Sequence, residues 1–253
     1  MPKVLLIGVG GPTCSGKTTI AKHLNRILPN SVIIHQDDFA PPEEFIPIHP
    51  VHKVQDWDTA EGAISWDRLI DFLRQVKMDG VLPNNHQSQD YLSKQKVIHV
   101  DEAVQRKWAI EFKRLEEENR VNGNEEIVWG LVEGFLLYWH PELINLLDVR
   151  IMLRVPHDVL KKRRYKRHGY HSEDQLDPAS PWWRDPPGAW EDIIYPAYVD
   201  AHKMMFEGGD VEHGKPTNSI DDLVLLETSD ITTTDAIERC CRVIKAVADG
   251  SRS

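Results

Sequence analysis

Short apolar runs alternate with amphipathic segments along most of the chain. A short apolar run bounded by polar or glycine-rich residues is typical of a buried strand, whereas apolar positions three or four residues apart indicate a helix. The apolar runs predict strands at 4–9, 31–35, 127–132, 149–155 and 223–226. Helices are predicted between and after them, over 17–28, 65–77, 101–119, 158–167 and 235–247.

Two of the predicted helices carry further signals. The helix over 101–119 is so rich in charged residues that we expect it to be solvated, and residues 79–98 before it look irregular and polar. For the last helix, Thr234 or Asp235 is the expected N-cap, with Glu238 placed for a capping box. Strands separated by helices imply a parallel sheet with crossover connections. The predicted fold class is therefore α/β, a central parallel five-stranded sheet flanked by helices in a single domain over 1–253.

A glycine-rich stretch lies between the first predicted strand and the first predicted helix. It reads GVGGPTCSGKTT over 8–19 and contains the phosphate-loop pattern G-x-x-x-x-G-K-[ST]. Small residues let consecutive backbone N–H groups surround phosphate oxygens, the lysine reaches the β- and γ-phosphates, and the threonine hydroxyl holds Mg²⁺. The stretch predicts a site for a nucleoside triphosphate, with the candidate binding residues Gly11, Thr13, Cys14, Ser15, Gly16, Lys17, Thr18 and Thr19.

Three acidic residues follow predicted strands: Asp37 and Asp38 after the second and Glu133 after the third. Ligands of parallel sheets bind beyond the carboxyl ends of the strands. A carboxylate there can orient a hydroxyl and accept its proton, or hold Mg²⁺ through water. Alternation along an extended chain would send Asp37 and Asp38 to opposite sides, so that one of them faces the phosphates.

The predicted helix over 158–167 is strongly basic. Cations in such a cluster can form a nuclear-targeting or RNA-binding patch. They can also close over the phosphates as a mobile lid that neutralises the transferred group and excludes water, which is the interpretation we favour. The cationic residues are Lys161, Lys162, Arg163, Arg164, Lys166 and Arg167.

Composition narrows the classes of partner. The formal net charge of −10 argues against general binding to nucleic acid or to an anionic membrane. No apolar run approaches the roughly 18 residues of a membrane span, and the first apolar run is too short for a signal peptide. The three cysteines give neither a disulfide framework nor zinc spacing. We therefore expect a cytoplasmic protein, with a nuclear location also open, that acts on small molecules as a monomer or weak homodimer.

Six segments together resemble the nicotinamide riboside kinases, in the order found in that family, and the chain looks like a fungal member. Beside the phosphate loop, they are QDDF at 36–39, QDWD at 55–58, VEGFLL at 132–137, KKRRYKR at 161–167 and YPAY at 195–198. The resemblance covers roughly residues 3–200. It implies ATP- and Mg²⁺-dependent phosphorylation of the 5′-hydroxyl of nicotinamide riboside to nicotinamide mononucleotide, with nicotinic acid riboside as a further expected substrate. The segment 79–124 resembles an insertion, because shorter animal relatives have no clear counterpart.

The resemblance also implies roles for individual residues. Asp37 would lie beside the 5′-hydroxyl, and Glu133 would hold Mg²⁺ and its waters together with Thr18. Asp58 would hold the ribose hydroxyls, assisted by Arg164 from a lid over about 158–170. The remaining implied roles are catalysis by Lys17 and Arg167, ATP binding by Arg163 and Arg167, and stacking of the pyridinium ring between Trp57 and Tyr170.

Three other functions remain to be weighed. A uridine or cytidine kinase shares the sheet, loop and lid, but it would recognise a neutral base by hydrogen bonds, whereas an aromatic face such as Trp57 attracts a cation. A GTP-binding switch would need Asn-Lys-x-Asp to recognise guanine, and the sequence lacks this tetrapeptide. A catalytically weak phosphate-loop scaffold is disfavoured because Lys17, Thr18, Asp37 and Glu133 are all present.

Overall fold

A computed structural model of the protein describes residues 2–81, 98–168, 185 and 187–250, with the backbone alone for 167 and 168. Its five strands form one sheet in the order β2-β3-β1-β4-β5, and every neighbouring pair is parallel. All five predicted strands are confirmed. Their bounds are β1 Lys3–Gly10, β2 Ser31–His35, β3 Ile127–Gly134, β4 Val149–Arg154 and β5 Leu223–Glu227.

Helices cover both faces of this sheet. The α-helices are α1 Lys17–Ile27, α2 Trp66–Asp79, α3 Glu102–Val121, α4 Pro141–Leu146, α5 His157–His168, α6 Tyr195–His202 and α7 Thr233–Ala248. A π-helix over Trp190–Ile194 leads into α6, and short 3₁₀ turns occur at Gln36–Phe39, Glu43–Phe45, Lys203–Met205 and Glu207–Gly209. No helix in the described part of the chain combines the length and the apolarity needed to cross a membrane.

The alternation of side chains along β1 builds two apolar cores. Leu6 lies in the core that the sheet shares with α2, α4 and α6. Leu5 and Ile7 point the other way, into the core shared with α1, α3 and α7. Because both faces are covered, β1 is buried along all but its first residue, as its continuous apolar sequence predicts.

The prediction that the charged helix is solvated is wrong for one face of α3. Trp108, Phe112 and Leu115 recur at helical spacing and are buried against α1 and α7. The Phe112 ring contacts Trp129 of β3 edge to face, with 5.4 Å between ring centroids. A narrow apolar stripe thus attaches α3 to the core, while its other faces carry the charged residues that dominate its sequence.

The start of α7 also differs from the prediction. The N-cap is Thr232 rather than Thr234 or Asp235, and the capping-box partner is Asp235 rather than Glu238. The Thr232 hydroxyl accepts a hydrogen bond from the Asp235 backbone N–H at 3.1 Å, and the Asp235 carboxylate accepts one from the Thr232 N–H at 3.1 Å. Glu238 instead pairs with Lys107 of α3, which helps to hold the two helices together.

Because Phe112 is fully buried, Phe112→Ala should lower the free energy of unfolding by about 3–5 kcal/mol. Ile110→Ala is the matched control, since Ile110 on the same helix is 59% exposed and its loss should change stability by about 0.5 kcal/mol at most. Urea unfolding of both variants measures the difference. Equal, small effects would mean that α3 does not belong to the core.

Candidate active site

The phosphate loop joins the carboxyl end of β1 to the first turn of α1. Gly11 and Gly16 have φ angles of 152° and 102°, in the backbone region that favours glycine. A Cβ added at Gly11 would lie 2.9 Å from the carbonyl oxygen of Leu153, so a larger residue does not fit there without a shift. The first turn of α1 has neither a side-chain cap nor an acidic residue. The positive end of the helix dipole is therefore left for an anionic ligand.

One hydroxyl of the loop needs a partner. Ser15 is 3% exposed, and its Oγ makes no hydrogen bond within the described part of the protein. A buried hydroxyl without a partner is costly, by roughly 1–3 kcal/mol. A phosphate oxygen in the loop would supply the missing acceptor.

Glu133 of β3 is the buried centre of the predicted metal site. Its Oε1 accepts hydrogen bonds from the Thr18 hydroxyl at 3.2 Å and from His35 Nδ1 at 2.7 Å. Its Oε2 is buried and has no hydrogen-bond partner among the described residues. Desolvation by itself raises the pKa of Glu133, but the hydrogen bond from His35 and the charge of Lys17 outweigh it, so the pKa is lowered. An ionised carboxylate with one unsatisfied oxygen beside a threonine hydroxyl is a donor set that fits a hydrated Mg²⁺.

Asp37 lies on the 3₁₀ turn that follows β2, close to Glu133 and Lys17. The turn corrects the prediction that Asp37 and Asp38 alternate along an extended strand, because the chain curls at this point. The Asp37 side chain is exposed to solvent, but many protein atoms surround it and displace part of its water. This desolvation raises its pKa, and the negative charge of Glu133 adds to the rise. Asp37 therefore binds a proton more readily than an ordinary aspartate.

Trp57 and Asp58 lie in the loop before α2. Asp56 shapes the loop, because its carboxylate accepts hydrogen bonds from the backbone N–H groups of Asp58 at 3.1 Å and of Thr59 at 3.0 Å. Trp57 is half-buried. Desolvation raises the pKa of Asp58 to about 6, against the opposing charge of Arg164. Asp58 is thus a poorly solvated carboxyl group that a ligand hydroxyl could satisfy.

Arg164 of α5 links the basic helix to two other segments. Its guanidinium forms a bidentate ion pair with Asp185, at 2.6 and 2.7 Å, and both side chains are almost buried. Its Nη1 also donates to Thr13 Oγ1 of the phosphate loop at 3.0 Å. The helix is therefore fastened over the loop by a side chain that also lies within electrostatic range of Asp58.

The neighbouring cations of α5 have different surroundings. Arg163 donates from Nη1 to the Cys14 carbonyl oxygen at 3.3 Å, so it also faces the phosphate loop. Lys161 points away and pairs with Glu191. The side chain of Arg167 and all of Tyr170 lie outside the described residues. The structure thus brings Arg163 and Arg164 to the site, and the roles predicted for Arg167 and Tyr170 stay predictions.

A cavity of about 580 Å³ opens beside the phosphate loop. One side consists of the loop and the start of α1, together with the cations Arg163 and Lys166. Other lining residues come from segments in which no site residue was predicted: the connection from β5 to α7, the start of α7 and the residue Ile98. The lining residues from these segments are Ile98, Thr228, Ile231, Thr232, Thr233 and Ala236.

Some of the residues that line this cavity could have been predicted from the sequence. Ligands of parallel sheets lie beyond the carboxyl ends of the strands, and β5 is one of the predicted strands. Its following residues, Thr228 to Thr233, were therefore candidates by topology. Ile98 carried no such signal, because no strand was predicted in the segment 79–98.

Comparison with known proteins gives consistent matches. The chain is 31% identical to the nicotinamide riboside kinase of Schizosaccharomyces pombe over 211 residues, which is 83% of this chain and 84% of that protein. It is 30% identical to the nicotinamide riboside kinase of Saccharomyces cerevisiae over 213 residues, 83% of this chain and 82% of that protein. Nicotinamide riboside kinase 2 of Homo sapiens is 29% identical over 205 residues, 81% of this chain and 70% of that protein.

Two further comparisons give no additional support for a function. No family model matches the chain. A solved structure described as "a Possible Uridine Kinase" from Bacillus stearothermophilus is 17% identical, with a TM-score of 0.39 over 66% of this chain and 79% of that chain. A similarity at that level carries no argument about function.

The raised pKa of Asp58 predicts a pH-dependent loss of stability. Because the folded-state pKa of about 6 lies above the ordinary value of 3.8, the folded protein binds this proton more tightly than the unfolded chain. The stability that this proton contributes is complete below about pH 4 and is lost as the pH rises through about 6. Asp58→Asn, which cannot ionise, should therefore be about 1–2 kcal/mol more stable than wild type at pH 7 and about equal to it at pH 4.

Urea unfolding between pH 4 and pH 7 measures this difference. Asp71→Asn is the matched control, since the Asp71 side chain on α2 is 74% exposed and its loss should leave the pH dependence unchanged. A difference between Asp58→Asn and wild type that does not vary with pH would contradict the desolvation of Asp58.

Proposed function

The chain belongs to the nicotinamide riboside kinase family, and we propose that it transfers the γ-phosphate of ATP to the 5′-hydroxyl of nicotinamide riboside. The product is nicotinamide mononucleotide, a precursor in NAD synthesis. The observation that carries the proposal is the cluster of Thr18, Asp37 and Glu133 at the mouth of the phosphate loop. These groups provide, at one place, the metal-binding oxygens and the carboxylate that such a transfer needs.

ATP is bound by the phosphate loop and the cavity beside it. The phosphates lie against the loop, with Lys17, Arg163 and the N-terminus of α1 supplying positive charge. The base and ribose of ATP occupy the cavity of about 580 Å³ between the loop and the β5–α7 connection. Arg167 is proposed as a further phosphate contact on the basis of the family resemblance.

Thr18 and Glu133 would hold Mg²⁺, the carboxylate through a water molecule. When bound, Mg²⁺ would neutralise the charge that develops on the transferred group. Glu133 is kept ionised for this role by His35 and Lys17. The same carboxylate binds the Thr18 hydroxyl, which fixes the two oxygen donors relative to each other.

Asp37 orients the 5′-hydroxyl and accepts its proton. The transition state of phosphoryl transfer is loose, so positioning of the hydroxyl matters more than its early deprotonation. The raised pKa of Asp37 suits a group that must retain the proton once the bond to phosphorus forms. The backbone carbonyl oxygen of Asp38 accepts a hydrogen bond from Arg68 of α2 at 3.0 Å, which helps to fix the turn that carries both aspartates.

The riboside is proposed to bind over the loop that carries Trp57 and Asp58. Asp58 accepts hydrogen bonds from the ribose hydroxyls, which relieves its poor solvation. Arg164 is held beside it by Asp185 and keeps further N–H donors for the ribose. The indole of Trp57 stacks on the pyridinium ring, whose fixed positive charge is attracted by the aromatic face. Tyr170 is the proposed second aromatic.

We predict that Trp57 discriminates a cationic ring from a neutral base. Trp57→Leu should lower kcat/KM for nicotinamide riboside about 10-fold, because the cation–π contribution is about 1–2 kcal/mol. It should lower kcat/KM for uridine less, and Trp57→Tyr is the conservative control that should preserve most of the preference. Coupled assays of ADP release with both nucleosides measure the ratio. Preference for uridine by the wild type would overturn the proposed function in favour of a uridine or cytidine kinase.

A separate prediction concerns the two adjacent aspartates. Asp37→Asn keeps the size of the side chain but cannot accept the proton, so kcat should fall by about 100-fold or more with a modest change in KM for the riboside. Asp38→Asn is the matched control and should have a much smaller effect. Steady-state kinetics with saturating ATP distinguish the two, and the reverse ranking would transfer the proposed role to Asp38.

A further inference from the structure

A histidine lies behind the proposed magnesium site. His35 is the last residue of β2, and it is paired in the parallel register with Glu133 of β3. Its Nδ1 lies 2.7 Å from Glu133 Oε1, and the two side chains are 9% and 5% exposed. Because the Glu133 carboxylate is ionised, it accepts and the Nδ1–H donates. The contact is thus a charge-assisted hydrogen bond in a nearly water-free setting.

The fold itself brings these two side chains together. Residues paired across neighbouring strands place their side chains on the same face of the sheet, a few ångströms apart. The same register sets Glu133 opposite Val9 of β1, immediately before the phosphate loop. His35 therefore contacts Glu133 from the side away from β1, whereas Thr18 reaches it from α1.

Both donors bind the same oxygen of the carboxylate. His35 and Thr18 each bind Oε1, and Oε2 is left buried without a hydrogen bond in the described part of the chain. A glutamate side chain has several rotatable bonds, and the longer contact of 3.2 Å from Thr18 restrains it only weakly. The short contact from His35 is the stronger restraint on which oxygen remains available for a ligand.

We propose that His35 is a positioning residue that fixes the Glu133 carboxylate so that Oε2 is available to hydrated Mg²⁺ when nucleotide binds. The inference rests on the proposed function, since it takes Mg²⁺–nucleotide as the ligand. His35 itself touches neither substrate nor metal. Its contribution is to remove the cost of ordering a buried carboxylate at the moment of binding. Loss of such an outer partner typically weakens metal binding by about 10-fold or more.

The test measures binding and does not depend on turnover. Calorimetric titration with ADP, once with Mg²⁺ and once with EDTA, gives the factor by which the metal strengthens nucleotide binding. In His35→Ala this factor should fall about 10-fold, while the affinity for metal-free ADP stays unchanged. His35→Asn retains an N–H donor near the position of Nδ1, so it should restore most of the factor.

A matched control separates positioning from the loss of any buried histidine. His202 is fully buried, and its Nδ1 lies 2.8 Å from the Tyr198 carbonyl oxygen, outside the site. His202→Asn should leave both affinities for ADP unchanged. If His35→Ala does not fold, His35→Leu fills a similar volume without a donor and replaces it in the comparison.

The outcomes separate this inference from the proposed function. A wild-type protein whose ADP binding gains nothing from Mg²⁺ would overturn the proposed metal site, and the role of His35 with it. A wild type that gains from Mg²⁺, with His35→Ala gaining equally, would overturn only the role of His35. A fall in affinity that is equal with and without Mg²⁺, or no rescue by His35→Asn, would likewise show that His35 is merely structural.

Discussion

The hydrogen bonds that Glu133 accepts hold together three parts of the chain that are far apart in sequence. Thr18 belongs to α1, His35 to β2 and Glu133 to β3, and the two contacts to Oε1 measure 3.2 and 2.7 Å. They can form only because β2, β3 and β1 are parallel neighbours whose carboxyl ends coincide. A slip of one residue in this register would turn Glu133 to the other face of the sheet. The proposed active site thus depends directly on strand register.

Several polar groups of the proposed active site are buried or poorly solvated. Ser15 Oγ and Glu133 Oε2 are buried without hydrogen bonds within the described residues, and burial raises the pKa of Asp58 to about 6. Each of these features lowers the stability of the unliganded protein. Each is also relieved by a ligand group of the proposed reaction, namely a phosphate, a hydrated cation or a ribose hydroxyl. The free energy gained by burying the two apolar cores on either side of the sheet offsets the cost of these groups.

Local patterns in the sequence were sufficient to predict the strands and the phosphate loop. Continuous apolar runs mark strands buried on both faces, and the glycines of the loop mark backbone angles that other residues avoid. The buried stripe of Trp108, Phe112 and Leu115 was not predicted, because the many charged residues on the solvated faces dominate the composition of α3. The arrangement of Asp37 and Asp38 was mispredicted because a 3₁₀ turn replaces the extended chain directly after β2.

Contacts between segments that are distant in sequence could not be predicted from local sequence patterns. Arg164 could pair with any of several acids, and only the folded chain selects Asp185. Ile98 joins the cavity beside the phosphate loop because α3 packs on α1 and α7, a consequence of the apolar stripe on α3. The strand ends of a parallel sheet bring Glu133 and Asp37 together by topology, so these two were accessible from the sequence. A residue's place in the site was thus predictable where topology alone determines it.

The charges of the site are separated in a way that suits two unlike ligands. Lys17, Arg163 and Lys166 line the side of the phosphate loop that faces the cavity. The carboxyls that interact with Asp58 are Asp37, Asp56 and Asp185, and these three do not line that cavity. A nucleoside triphosphate is strongly anionic, whereas the proposed riboside carries a positive ring, so mixing these charges would weaken the binding of both. Arg164 lies between these two groups of charges, because it donates to Thr13 of the loop and pairs with Asp185. The anionic nucleotide and the cationic riboside would therefore approach each other near this residue, where the phosphoryl group is proposed to be transferred.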